Sequence, residues 1–89
     1  MNDERRGKNG IIFEYDDEYD VLYISLGKPI PSYTDDEIEG VLIRRDFETD
    51  RLTGATLIGY KHMSKDFLHR VIPFYVDFGL IDRHIGLQV

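Results

Sequence analysis

The sequence contains no cysteine. That absence excludes disulfides, thiolate metal sites and a cysteine nucleophile. No uncharged apolar run approaches the roughly 20 residues of a membrane-spanning helix, so no membrane segment is expected. There is no phosphate-cradling glycine loop, no P-loop and no nucleophile elbow, and with them go the usual sequence marks of nucleotide binding and serine hydrolysis. Basic side chains are in deficit, 11 against 17 acidic, for a formal net charge of −6. The deficit lies in residues 11–60, whose balance is −8, whereas 1–10 and 61–89 each stand at +1. Such a surface disfavours nucleic-acid phosphates and favours a basic protein partner.

What is present describes a small globular domain: 89 residues, 42% hydrophobic and 31% charged, too apolar for intrinsic disorder. A chain of this size barely encloses one core, and pairing with a second copy, a homodimer, is expected to help. Residues 1–10 are rich in charge and lack an apolar stretch; they read as a flexible leader and not as a secretory signal. Residues 11–89 read as a single domain with the cytoplasm as its default location.

The strongest pattern is strand-like alternation. Ile11, Phe13 and Tyr15 share one face of a first strand, Asp16 to Asp20 supplies turn chemistry, and Leu22, Ile24 and Leu26 return on the core face. Gly40–Asp46 and Leu52–Ile58 repeat the plan around Glu48-Thr49-Asp50-Arg51, and Gly54 leaves room for a bulge or for a side chain to cross the backbone. Residues 27–39 read as a long connection, extended at Pro29 and Pro31, with Thr34-Asp35-Asp36-Glu37 spaced as a capping box before one helical turn at most. Ser64 as N-cap, Asp66 in the first turn and a Phe67, Leu68, Val71, Ile72 stripe ended by Pro73 predict a short helix. Phe74, Val76 and Phe78 alternate as an edge strand would, or as a segment crossing to another copy. The expected fold class is therefore α+β: a four-stranded antiparallel sheet of two consecutive hairpins, one short helix on one face, and an extra C-terminal segment.

Four groups of residues carry candidate chemistry. Asp16, Asp17, Glu18 and Asp20 resemble a hard-cation ligand set but lack the alternation, glycine and distant glutamate of a calcium loop, so no metal and no cofactor is assigned. With Asp35, Asp36, Glu37 and Glu39 they would make a metal-assisted acidic hydrolase only if the two loops converged in a cleft. His62, His69 and His84 complete no zinc spacing. Lys61, Lys65, Arg70 and Arg83 form a small basic set, the alternative of a weak nucleic-acid-binding domain. Six tyrosines and five phenylalanines exceed what a small core needs, and tyrosine suits a protein interface. The candidate interaction surface is Tyr15, Asp16, Asp20, Tyr23, Tyr33, Asp35 and Asp36, with no catalytic residue.

Tyr15-Asp16-x-x-x-Asp20-x-Leu22-Tyr23-Ile24, Gly40-Val41-Leu42-Ile43 and Leu52-x-Gly54-x-x-Leu57-Ile58 together resemble the domain of unknown function 2283 family of small bacterial and archaeal proteins, over residues 11–65. The resemblance implies a compact sheet with a helix and brings no established activity, cofactor or catalytic residue. Some members look like the smaller partner of a toxin–antitoxin pair with a basic toxin. The second turn here lacks the glycine such proteins often place there. The function expected is a non-enzymatic, dimeric interaction module.

Overall fold

Alternation in residues 11–26 produces the hairpin it predicts, β1 (Ile11–Asp16) against β2 (Val21–Leu26), with Phe13 opposite Ile24 and Tyr15 opposite Leu22. The computed structural model describes residues 10–86. It shows three further strands, β3 (Ser32–Ile38), β4 (Val41–Asp46) and β5 (Leu52–Ile58). All neighbours are antiparallel, in the order β1-β2-β5-β4-β3. The leader expected over 1–10 lies outside the described residues except for Gly10, whose carbonyl accepts from Gly27 N–H and closes the base of the first hairpin.

The sheet thus has five strands where the periodicity predicts four. The additional one, β3, lies in the stretch read as a connection, and Thr34 to Glu37 is extended with no helical turn. The physical reason is its position. β3 is an edge strand with polar or charged side chains in most places, so no apolar alternation betrays it, and charge on an edge discourages pairing with other chains.

Helical structure follows the sheet: a 3-10 turn over Tyr60–His62, then α1 (Lys65–Val71) and α2 (Phe78–Ile85). Ser64 caps α1 as predicted, its hydroxyl accepting from Phe67 N–H. The second helix corrects the strand-like reading of Phe74, Val76 and Phe78. Asp77 caps it by accepting from Leu80 N–H, and Gly86, at φ 81°, ends it. Two-residue spacing over so few positions cannot distinguish a strand from the lead-in to a helix.

Both helices lie on one face. Leu68, Ile72, Val76, Phe78 and Ile81 join Ile11, Phe13, Leu22, Ile24, Val41 and Leu57 in one core. Leu22, Ile24, Leu57 and Leu68 are fully buried, each worth about 1.5–3 kcal/mol relative to exposure. The opposite face of the sheet has no described element over it.

Candidate functional site

The two hairpin turns share one design. In the first, the Asp16 carboxylate accepts from Glu18 and Tyr19 N–H, and Asp20 takes a left-handed φ of 56°. In the second, Asp46 accepts from Glu48 N–H and the Thr49 hydroxyl, and Asp50 takes φ 64°. Aspartate tolerates this region because its short side chain finds local partners, so Asp50 replaces the absent glycine. A tyrosine hydroxyl donates to each of these aspartates, Tyr15 to Asp20 at 2.6 Å and Tyr33 to Asp50. The Glu48 amide first, then the Thr49 hydroxyl, hold the Asp46 carboxyl below the usual carboxylate range.

Asp20 also joins the sheet to the helical layer. Its carboxylate accepts from Lys61 N–H at 3.0 Å, and its carbonyl accepts from Gly59 and Tyr60 N–H. Tyr15, Asp16 and Asp20 are therefore engaged in bonds within the chain. Burial first, then the bond to Asp20, pushes the Tyr15 hydroxyl up to about 12. The fold favours the neutral phenol, so this contribution is complete below the ordinary value of 10 and is lost as the pH rises to about 12. Tyr15→Phe is expected to lower stability by about 1 kcal/mol at neutral pH and to flatten the alkaline decline. Urea midpoints measured across both ranges check this; an unchanged alkaline slope would refute it.

The helix-free face carries Tyr23. Register places Glu14, Tyr23, Thr56 and Leu42 in one row across the sheet, and Ile12, Ser25, Gly54, Arg44 and Thr34 in the next. Tyr23 is 43% exposed and Ile58 49%. Arg44 leans across Gly54 so that Nη2 donates to the Ile24 carbonyl at 2.5 Å and approaches Ser25 Oγ at 3.4 Å. The sheet also has a register shift between Arg44 and Arg45, so Gly54 accompanies both of the features its position predicts. Burial lowers the Arg44 pKa, its Nε is buried without a partner, and among the described residues no carboxylate pairs with it.

Asp35, the residue opposite Ile43, points to the other side of the sheet and lines a groove of ≈ 160 Å³. Ile38, Val41 and Ile43 form its sheet wall, and Val71 and Pro73 its helical wall. Glu37 and Arg45 complete the rim, the latter donating to the Asp50 carbonyl at 3.2 Å. Asp36 is exposed nearby on β3. A shallower cleft of ≈ 340 Å³ lies at the other edge, between Phe13, Tyr15 and His84.

Beneath the sheet lies an ion pair that the sequence reading missed. Lys65 Nζ stands 2.9 Å from Asp82 Oδ2, and the Tyr60 hydroxyl donates to Oδ1 at 2.5 Å. The ammonium also sits 5.0 Å from the centre of the Tyr60 ring. Burial, then Asp82, pushes the Tyr60 hydroxyl far above its ordinary range. The available signal was helical spacing: Phe78, Ile81, Asp82 and Ile85 share one face of α2, and a carboxylate on an apolar stripe requires a partner.

The two carboxylate groups do not converge. The first closes the β1–β2 hairpin and the second lies on and after β3; their nearest members, Asp20 beside β2 and Glu39 before β4, have the end of β5 between them, about 10 Å by strand spacing. Among the described residues no three His, Asp or Glu side chains stand as a metal-binding group. His62 is exposed; His69 stacks on Tyr75, and His84 meets the Phe13 ring edge-on. Lys61, Arg70 and Arg83 are exposed, while Lys65 is committed to Asp82. No helix among the described residues is long and apolar enough to cross a membrane. Comparisons with family models, curated proteins and solved structures returned no match.

Proposed function

We propose that the chain is a non-enzymatic protein-interaction module, of the domain of unknown function 2283 kind, that pairs with a second copy through the helix-free face of its sheet. The observation that carries this reading is the one-sided cover. Ile12, Val21 and Leu42 are half-buried and Tyr23 and Ile58 exposed on a face that nothing described covers, an arrangement typical of an interaction site. In its two middle rows the charges are Glu14, Arg44 and, at the β3 end beside Leu42, Asp36, so a copy turned about a two-fold axis can set each Arg44 against a carboxylate of its partner. By strand spacing and residue rise the face measures about 400 Å² per copy, near half of a standard partner surface. The dimer is accordingly weak and concentration-dependent. The acidic surplus of residues 11–60 adds steering toward a basic protein partner, as an antitoxin-like module would need.

Sedimentation equilibrium across three decades of concentration tests the reading. The wild-type protein is expected to associate reversibly at the upper end. Ile58→Asp is expected to remain monomeric and folded, with stability lowered by about 1–2 kcal/mol, since the residue is half exposed at the end of β5. A monomer throughout, with wild type and variant sedimenting alike, would refute dimerisation through this face.

A further inference from the structure

The helical layer is smaller than the sheet it covers. The edge strand β3 extends the sheet beside the end of α1, and the groove between Val71, Pro73 and the β3–β4 wall is an uncovered part of the core face. Its wall is aliphatic, supplied by Ile38, Val41 and Ile43, and Ile38 is 39% exposed. Two carboxylates, Asp35 and Glu37, stand on the rim without an ion pair to any described residue. Arg45 is held by the Asp50 carbonyl. The net rim charge is therefore negative over a slot of mixed character, with aliphatic walls and a polar mouth.

We infer that this groove docks an extended basic segment of a partner protein, which inserts one aliphatic side chain between β4 and α1 and sets lysine or arginine against Asp35 and Glu37. The volume of ≈ 160 Å³ equals about five waters, room for one aliphatic side chain and little more. Strand addition along β3 is disfavoured by the register shift between Asp35 and Ile38, which interrupts the edge ladder. Recognition therefore falls to side chains. A second copy is also disfavoured, because its β3 would bring Asp35, Asp36 and Glu37 against the same charges.

The inference rests on the interaction-module reading but uses a surface separate from the dimer face. Its probe is a blocked heptapeptide, Lys-Thr-Lys-Leu-Lys-Thr-Lys, titrated into the full chain and followed by amide chemical shifts. Shifts are expected at Asp35, Ile38, Ile43 and Val71, with saturable binding that weakens about tenfold in high salt. The Asp35→Lys/Glu37→Lys variant is expected to weaken binding by at least as much. Replacing the central leucine of the peptide with threonine should do the same, and it needs no change to the protein. Ile58→Asp should leave binding intact. Absence of saturable shifts in the groove, shifts on the Tyr23 face instead, or indifference to the central leucine would each overturn the inference. If the peptide fails while the wild-type protein still self-associates, the groove assignment falls and the module reading stands; if both fail, both fall.

Discussion

Lys65→Met is expected to cost about 3 kcal/mol at neutral pH, the lower end for breaking a buried ion pair. The reason for the size is Asp82, which is 2% exposed and would be left, among the described residues, with the Tyr60 hydroxyl as its donor. The reason for the lower end is Lys65, whose side chain is 37% exposed, so its attraction is partly screened by water. In a chain of this length the loss corresponds to about 12–24 °C in Tm. The pair is asymmetric. Asp82→Asn retains an acceptor for Tyr60 and leaves Lys65 free to reach solvent, so about 1–2 kcal/mol is expected. Urea unfolding of both variants at neutral pH decides the matter. An Asp82→Asn loss larger than that of Lys65→Met would show that Asp82, and not its cation, is the costlier group to remove.

Gly54→Ala is expected to destabilise by about 3 kcal/mol or more, beyond most small-to-large core changes. A Cβ there would run into the Ile24 carbonyl oxygen and approach Arg44 Nη2 within 2.6 Å. The guanidinium can move. The carbonyl cannot, because Ile24 lies in β2 with Phe13 and Ala55 paired on either side. Arg44→Ala therefore should not rescue Gly54→Ala, and alone should cost about 1–2 kcal/mol through the lost bond to Ile24. Denaturation of the two single variants and the double variant gives the comparison. Recovery in the double variant would place the clash on Arg44 and not on the β2 backbone.

These two sites show what the residues disclosed and what they withheld. The hairpins of residues 11–26 and 40–58 were legible because each alternates apolar and polar side chains on a half-buried sheet. Ser64, Pro73 and the stripe between them marked α1 for the same reason, a period matched to a face. β3 was not legible because its side chains answer to solvent at an edge and carry no core signal. α2 was obscured by Gly79 near its start and by Asp82, a residue that looks misplaced until Lys65 and Tyr60 are beside it. Of the candidate surface, Tyr23, Tyr33, Asp35 and Asp36 are on strands with access to solvent, while Tyr15, Asp16 and Asp20 have partners within the fold. Aspartate and tyrosine in one motif signal turn building as readily as recognition, and only geometry separates the two.

The strand order also divides the sheet into pieces of different range. The β1–β2 hairpin and the β3–β4–β5 meander each close over a few intervening residues, and they meet along one seam, β2 against β5, where Leu22 lies opposite Leu57. The chain entropy of closing a long loop is concentrated at that seam. Asp20 reaches Gly59, Tyr60 and Lys61 beside it, so the residue that shapes the first turn also rivets the two halves together.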